Sequence, residues 1–412
     1  MANSRQTHCC IVGGGPAGMV LGVLLARAGL EVIVLEKHAD FLRDFRGDTI
    51  HPSTLQVIKE LGWLEEFLKL PHQKISEIGA EYADQFLPVA NFSKLPVACP
   101  YVALMPQWDF LNFLAEKGQR YPGFELHMQT EATGLVREGE NIVGVHACAP
   151  DGDQTFHADL VIAADGRGSI LRKSAELNVY DLGAPIDVLW FRLPRQADDP
   201  AQTMAKFDPP HMAVLLDRGD YWQCAYIIAK GGLDKLKDKG LDEFHANLRD
   251  LIPFAADRIG ELASWNDVKL LNVRLDRLET WWRKGLICIG DAAHAMSPVG
   301  GVGVNLAVQD AVATANILFN PLSRRNVHLE DLAAVQKRRM WPTKVTQSLQ
   351  AIAHKRLLTP LLAGELSEYP PLPLRLISST PLLRRLAGRL IGLGVRPEHV
   401  SAEVLKPRGA LA

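Results

Sequence analysis

The sequence has little cysteine and almost no net charge. Six of its 412 residues are Cys, and Cys9 and Cys10 are neighbours inside an apolar run, where neither easily reaches a partner. We therefore expect a reducing compartment and no disulfide framework. The formal net charge of −2 gives no global positive field, so a nucleic-acid partner is not expected. No C-x-x-C pair and no metal-type His spacing occurs, so no metal site is expected either.

The composition is that of a folded protein without a membrane span. With 47% hydrophobic and 22% charged residues, the chain can build a core for two domains, and it is not disordered, collagen-like or coiled-coil. The uncharged run 9–26 contains glycines at 13–15 and 18, which divide it into a strand and a helix. Residues 1–8 hold one Arg, and no cleavage site follows the apolar run, so the cytoplasm is the expected location.

A β-α-β unit is predicted near the start of the chain, with strands at 8–12 and 31–36 and a helix at 16–28. The turn between the first strand and the helix has the pattern G-x-G-x-x-G, which favours dinucleotide binding over a merely structural turn. Its glycines permit a tight turn, close approach to a pyrophosphate, and close helix packing, while the helix N-terminus attracts phosphate. A carboxylate at the end of the second strand can bind ribose hydroxyls. The predicted cofactor residues here are Gly13, Gly15, Pro16, Ala17, Gly18, Glu36 and Lys37.

Two later strands also end in glycine-rich turns. The predicted strand 158–163 leads into Asp165-Gly166, with Ser169 and Arg172 following at regular spacing. The strand 286–289 leads into Gly290-Asp291, then into a glycine-rich turn and a long apolar helix at 304–319. A carboxylate at a strand end can reach a hydroxyl, and N–H groups before a helix can bind an anionic ring edge. A plain strand-turn-helix junction with Asn305 as a cap is the alternative.

Together these motifs resemble the flavoprotein aromatic hydroxylases typified by para-hydroxybenzoate hydroxylase, a family that includes the ubiquinone-pathway hydroxylases. The resemblance spans residues 8 to about 320, with the motifs in the family's order and spacing. It implies a class A flavin monooxygenase with one bound FAD, NADH or NADPH as transient reductant, and O2 as oxidant. Such an enzyme hydroxylates an aromatic or quinone-like small molecule through a flavin C4a-hydroperoxide.

The resemblance also implies roles for individual residues. Asp291 would bind the ribitol region of FAD, Asp165 would contact FAD and the nicotinamide, and Arg46 and Gln107 would reach the pyrophosphate and flavin. A solvated loop for Arg46, a first helical turn for Gln107 and a salt-bridged turn for Arg172 are the alternatives. Val302 departs from the family, where many members carry Gln. The residues implied along the flavin are Gly290, Pro298, Gly301, Val302, Gly303, Val304 and Asn305.

The expected fold is α/β, with a Rossmann-like FAD-binding domain, an inserted mixed-sheet substrate domain and a C-terminal helical segment. The FAD domain is predicted to comprise 1–75, 101–180 and 271–345. The substrate domain is predicted to comprise 76–100 and 181–270, and the helical segment 346–412. Antiparallel strands are predicted at 189–193, 212–216 and 221–229.

The sequence leaves the substrate side of the site open. Alternation places Tyr221, Gln223 and Ala225 on one face of a strand and the intervening residues on the other, without saying which face meets the ligand. No acid or base pair identifies a catalytic residue. The candidates, by location only, are His51, His211, Tyr221 and His294.

The segment 381–395 is amphipathic and has two interpretations. Its Leu and Ile side chains share a helical face, with most Arg side chains off it, so we favour a helix docked on the protein. An acidic membrane surface, with peripheral location and a lipophilic substrate, is the alternative.

Three functional classes remain open beside each other. No W-x-W-x-I-P pattern and no second G-x-G-x-x-G occurs, so neither a halogenase nor a separate nicotinamide domain is indicated. The first expectation is the monooxygenase. The alternatives are an FAD-dependent reductase or dehydrogenase of a lipophilic substrate without oxygen insertion, and a flavoprotein that binds a ligand without turnover. A monomer and a homodimer are both compatible with the sequence.

Overall fold

The structure, a computed structural model, describes residues 6–42, 49–82, 85–200, 204–366 and 369–406. Its strands are β1 (Gln6–Val12), β2 (Val32–Leu35), β3 (Thr49–Ile50), β4 (Gln73–Ile75), β5 (Glu77–Tyr82), β6 (Gln85–Asn91), β7 (Val102–Leu104), β8 (Phe124–His127), β9 (Glu131–Glu138), β10 (Asn141–Ala149), β11 (Gly152–Ala163), β12 (Val179–Asp181), β13 (Ile186–Pro194), β14 (Met204–Asp208), β15 (His211–Asp217), β16 (Tyr221–Ala229), β17 (Lys269–Leu271), β18 (Asp276–Leu278), β19 (Trp282–Arg283), β20 (Leu286–Cys288) and β21 (His294–Ala295). Its α-helices are α1 (Pro16–Arg27), α2 (Pro52–Glu60), α3 (Leu64–Phe67), α4 (Gln107–Gly118), α5 (Ile170–Ser174), α6 (Leu233–Lys239), α7 (Leu241–Leu251), α8 (Gly303–Ser323), α9 (Leu329–Ala353), α10 (Thr359–Leu362), α11 (Leu372–Ser379), α12 (Pro381–Gly392) and α13 (Ala402–Leu405).

The first sheet has a parallel core in the order β20-β11-β1-β2-β8. Its central strands are apolar and buried on both faces, as parallel strands covered by helices must be. The first half of β11 extends beyond this core and pairs with the antiparallel strands β10 and β9. The predicted β-α-β unit is present as β1, α1 and β2, and the α/β fold class is confirmed.

Helix α8 lies in the core of this domain, beside α1. Within the described part of the chain, the helical stretch Val299–Ser323 is long and apolar enough to cross a membrane, but 72% of its most apolar window is buried inside the fold. Its apolar character is therefore explained by packing within the protein.

The second sheet joins two separate parts of the chain in the order β17-β13-β16-β15-β14-β5-β6. Helix α7 covers one face, where Phe244 and Leu248 pack with Leu189, Phe191 and Leu215. The opposite face is turned toward the first domain and the C-terminal helices. Strands β13, β15 and β16 run through the predicted segments, while the limits of the two domains remain predictions.

The C-terminal helices close over the sheets. Helix α9 continues through a π-helical turn at His354–Leu358 into α10. Helix α12 docks against β6 through glycine, since a Cβ on Gly388 would lie 2.1 Å from the Asn91 carbonyl oxygen. The prediction of a docked helix is therefore correct, but the predicted apolar face is docked only in part, through Ile391. Leu382 and Leu386 point outward, because the small glycines provide the closest approach.

Candidate active site

In the turn between β1 and α1, Gly15 borders open space, whereas Gly13 and Gly18 are tightly packed. Gly13 has φ of +109°, and a Cβ there would lie 2.3 Å from the Ala164 carbonyl oxygen. A Cβ on Gly18 would lie 2.0 Å from the Gly13 carbonyl oxygen, so both positions require glycine for packing. A Cβ on Gly15 would meet no atom within 4 Å. Pro16 then starts α1 without a side-chain cap, so this helix end is suited to an anion.

Glu36 binds the backbone of this turn. Its Oε2 accepts the Gly14 N–H at 3.0 Å, and its Oε1 accepts the His38 N–H at 3.1 Å. The carboxylate therefore lies beside the turn, as its predicted ribose role requires. Lys37 instead forms a surface ion pair with Glu131 at 3.6 Å, and its cofactor contact remains a prediction. Arg46 lies outside the described residues.

The three glycine-rich motifs converge in space. Gly13 approaches Ala164 and Asp165 at the end of β11, and a Cβ on Gly290 would lie 3.1 Å from the Ala17 Cβ atom. The carboxyl ends of parallel strands meet at one edge of a sheet, which explains why distant motifs come together here.

A charged pair lies at this edge. Arg167 Nε donates to Asp291 Oδ2 at 2.9 Å, and both side chains are partly exposed. Two further polar atoms, Arg167 Nη1 and Asp165 Oδ1, are buried without a hydrogen-bond partner among the described residues. Such atoms normally have partners, so they fit a ligand rich in hydroxyl and phosphate groups. The residues present therefore fit FAD.

Asp165 also caps helix α5. Its Oδ2 accepts the Ile170 N–H at 2.9 Å, while burial raises the pKa of the carboxyl and its hydrogen bonds oppose that rise. Arg172 is buried and donates to Asp276 at 3.3 Å and to the Arg167 carbonyl at 2.7 Å. These contacts favour the salt-bridged-turn interpretation of Arg172, which positions the Arg167 loop.

The glycine-rich loop before α8 is partly exposed from Pro298 to Val304. Gly300 and Gly301 have φ of +80° and +63°, and α8 begins at Gly303 with Val302 before it and no side-chain cap. The first N–H groups of α8 can therefore serve an anionic ring edge. Asn305 is buried and accepts hydrogen bonds from Ser53 and Thr54, which ties the start of α8 to α2.

Gln107 is the first residue of α4, as the sequence indicates. It is only partly buried and follows Pro106, which precedes the helix in extended geometry. Its contact with the flavin remains a prediction.

The structure gives each candidate base a structural partner. His294 is buried with Nε2 2.6 Å from Asp310 Oδ2, and His51 is buried between the Gly301 and Ile391 carbonyl oxygens at 3.0 and 2.9 Å. His211 contacts the Tyr226 hydroxyl at 2.6 Å on the sheet face covered by α7.

Tyr221 lies at the start of β16 with the Arg192 guanidinium 4.8 Å from its ring centre. Of the four candidates, His51 alone is shown in contact with the 298–305 loop, and that contact is to the backbone. A catalytic role for any of them remains a prediction without a supporting contact to a reacting group.

Sequence reasoning missed Asp310 and Arg167. Asp310 is fully buried and accepts the Gly290 N–H at 3.1 Å, and Arg339 Nε donates to its other oxygen at 2.8 Å. Burial alone would raise the pKa of Asp310, but His294 and Arg339 together hold it below its usual value. A signal existed, since Asp310 is the single charged residue of α8. The signal for Arg167 is its position inside the motif that begins at Asp165.

The structure also identifies which sheet face meets the loop. Ala225 and Ile227 pack in one cluster with Val299, whereas Trp222, Cys224 and Tyr226 pack under α7. Trp190 and Val214 flank Ala225 in register and are partly exposed. The Ala225 face therefore lies on the side of the 298–305 loop.

Comparisons with known proteins agree with this geometry. Residues 6–348 match the family model described as FAD binding domain. The 6-methylpretetramide 4-monooxygenase of Streptomyces rimosus is 31% identical over 397 residues, which covers 94% of this chain and 93% of that protein. The rifampicin monooxygenase of Streptomyces venezuelae is 30% identical over 314 residues, and the match covers 73% of this chain and 61% of that protein.

A solved structure shares the fold. The p-nitrophenol 4-monooxygenase of Pseudomonas putida DLL-E4 superposes with a TM-score of 0.76 at 20% identity, over 99% of this chain and 100% of that one. The family match spans most of the chain and includes every glycine motif described above. The chain therefore belongs to the class A FAD-dependent aromatic hydroxylases and is an FAD-dependent monooxygenase.

Proposed function

We propose that the enzyme hydroxylates an aromatic or quinone-like small molecule held between the 298–305 loop and the Ala225 face of the second sheet. NADH or NADPH is the proposed reductant, and O2 the oxidant. The observation that supports this proposal is that Val299 of the loop packs against the apolar cluster that contains Ala225 and Ile227. Bound FAD would accept hydride and activate O2, while the protein positions the reactants and excludes water.

The proposed cofactor contacts follow from the convergence of motifs. Gly15 and the N-terminus of α1 receive the pyrophosphate, and Glu36 receives the ribose hydroxyls. Arg167 and Asp291, which form a 2.9 Å ion pair, hold the part of FAD between the pyrophosphate and the flavin ring. The N–H groups at the start of α8 stabilise negative charge on the ring edge.

The centre of the proposed substrate face is apolar, and a buried amide lies beside it. Trp190, Val214 and Ala225 form a row across three strands, which suits an aromatic ring. Gln223 follows on the same face of β16, and its Nε2 is buried without a hydrogen-bond partner among the described residues. A buried unpaired donor costs about 1–3 kcal/mol, so an oxygen of the substrate that accepts its N–H would recover that cost.

Two variants of β16 test the position of the substrate. Ala225→Phe fills the proposed site, and we expect at least a tenfold loss of product formation with FAD retained. Ala229→Phe makes the same change at an exposed position of the same strand and should behave as the parent enzyme. Gln223→Leu, which keeps the size of the side chain, should raise the KM of an oxygenated substrate. Unchanged kinetics in folded, FAD-loaded A225F and Q223L would contradict the proposed site.

The substrate to try first follows from the name of one relative. The protein named 6-methylpretetramide 4-monooxygenase matches almost the full chain, so that compound heads the panel, with simpler phenols and quinols beside it. The cytoplasm and the choice between monomer and homodimer remain predictions.

A further inference from the structure

Two successive C-terminal helices expose large apolar side chains. Leu372 and Leu376 on α11 are 76% and 60% exposed, and Leu382 and Leu386 on α12 are 73% and 51% exposed. Single exposed leucines are ordinary on protein surfaces, but four strongly exposed leucines on two successive helices indicate a contact with another phase or molecule. This outward set, with its neighbouring arginines, is called here the Leu-Arg surface.

The same pattern occurs on both helices. Leu372, Arg375 and Leu376 stand at positions i, i+3 and i+4 of α11, and Leu382, Arg385 and Leu386 repeat that spacing on α12. Arg389 continues the α12 stripe by one further turn. Residues at this spacing share one helix face, so each helix presents a mixed stripe of leucine and arginine to the outside.

The opposite sides of α11 and α12 pack against the rest of the protein. Gly388 and Gly392 meet Asn91 and Phe92 at close approach, and Leu374 packs in the buried cluster of the second sheet. Arg384 is held by Glu77 at 3.2 Å. These contacts fix the rotation of α12, so Leu382 and Leu386 cannot turn inward without undocking the helix.

The charge of this segment is of one sign. Residues 369–397 contain five Arg and no Asp, Glu or Lys, in a chain whose net charge is −2. Arg375, Arg385 and Arg389 are exposed, and their guanidinium groups make no ion pair or hydrogen bond with any residue that the structure describes. Basic side chains next to a negative lipid surface are attracted to it, and the attraction adds up over the side chains.

We propose that the Leu-Arg surface binds an anionic lipid bilayer, with α11 and α12 lying along the membrane plane. The leucine side chains enter the boundary between headgroups and acyl chains. The arginine side chains, interleaved with them, extend their guanidinium groups to lipid phosphates. Alternating leucine and arginine on one stripe suits a surface with apolar and anionic layers at different depths. The binding does not depend on the proposed substrate or reaction.

Vesicle co-sedimentation of the full FAD-loaded protein tests this proposal. We expect binding to vesicles of phosphatidylglycerol and phosphatidylcholine, little binding to pure phosphatidylcholine, and weaker binding as NaCl concentration rises. The double variant L382S/L386S should bind the anionic vesicles at least tenfold more weakly. The double variant R385Q/R389Q should also bind more weakly and with a shallower salt dependence.

Matched controls separate this surface from a general effect of the substitutions. L270S/L329S changes two exposed leucines elsewhere, and R249Q/R324Q changes two exposed arginines elsewhere. Both controls should bind vesicles as the parent does, and FAD content with the unfolding midpoint verifies the fold of every variant.

Three results would overturn the proposal. The first is the absence of binding by the folded parent protein to anionic vesicles. The second is equal binding to both lipid compositions, or equal losses in the controls. The third is self-association that L382S/L386S abolishes in a protein that does not bind vesicles, which would identify a second copy as the occupant.

Discussion

Asp310 Oδ2 accepts the backbone N–H of Gly290 at 3.1 Å, which joins the middle of α8 to the turn that carries Asp291. The same carboxylate is paired with His294 and Arg339, and Arg339 also reaches Glu398 at 3.2 Å. A buried charge network therefore fixes the cofactor turn and links it to the C-terminal segment. Because the charges of Asp310, Arg339 and Glu398 are paired with one another, removing one leaves an uncompensated buried charge.

Asp310→Asn should destabilise the protein and weaken FAD binding. The substitution removes the negative charge opposite Arg339, and breaking a buried pair costs about 3–5 kcal/mol. We expect the free energy of unfolding of the FAD-free protein to fall by that order, with a raised Kd for FAD. Denaturant unfolding and FAD titration measure the two effects. Glu398→Gln, which leaves the Gly290 contact intact, should lower stability with little change in FAD affinity. A folded D310N with parental FAD affinity would show that the charge of Asp310 does not support FAD binding.

Alanine at Gly15 should weaken FAD binding, whereas alanine at Gly18 should destabilise the fold. Gly15→Ala meets no protein atom within 4 Å, so the FAD-free protein should keep its stability while FAD affinity falls at least tenfold. Gly18→Ala places a methyl 2.0 Å from the Gly13 carbonyl oxygen, so the fold itself should be destabilised. Thermal unfolding without FAD, followed by FAD titration, distinguishes the two. Parental FAD binding in G15A would remove Gly15 from the pyrophosphate site.

Arg167 should contribute to FAD binding through its fork of N–H groups. Arg167→Lys keeps the charge but loses the geometry that pairs with Asp291, and we expect about a tenfold rise in Kd, about 1.4 kcal/mol. Arg137→Met, an exposed arginine of the same domain that donates to the Ser174 carbonyl, is the control and should bind FAD normally. Equal affinities in R167K and the parent would show that the ion pair with Asp291 is not part of the cofactor site.

His51 should make stability depend on pH. Burial lowers its pKa from 6.5 to about 4, against the opposing contacts with the Gly301 and Ile391 carbonyl oxygens. The folded state therefore binds the proton less readily than the unfolded state, and stability is lost as the pH falls from 6.5 toward 4. The full effect is about 3 kcal/mol. His51→Asn lacks this titration, so the stability difference between parent and variant should change by that amount across the range. A constant difference in unfolding free energy from pH 7 to pH 4 would disprove it.

The local motifs were predictable, and the contacts between distant residues were not. The Gly13 turn, α1 and most of α8 follow from short patterns of glycine and apolar residues, which depend on near neighbours. The pairing of Asp310 with His294 and Arg339 joins three separate elements. Its only sign in the sequence is the isolated charge in α8. The alternation in β16 predicted two faces, but only the position of Val299 distinguishes them.

The orientation of α12 shows a second kind of limit. The leucines of 381–395 suggested the docking face, yet the helix docks through Gly388 and Gly392. Glycine allows two backbones to approach closely, so packing can favour the smallest side chains over the most apolar ones.

The most direct measurement uses isotopically labelled dioxygen. The FAD-loaded enzyme is supplied with NADH or NADPH and the aromatic panel, and the products are examined by mass spectrometry. We expect nicotinamide oxidation that depends on substrate, and a product carrying one labelled oxygen atom. The opposite result is an unlabelled product that is reduced or dehydrogenated, formed at the same rate as nicotinamide or flavin turnover. It would contradict hydroxylation and support an oxidoreductase that inserts no oxygen.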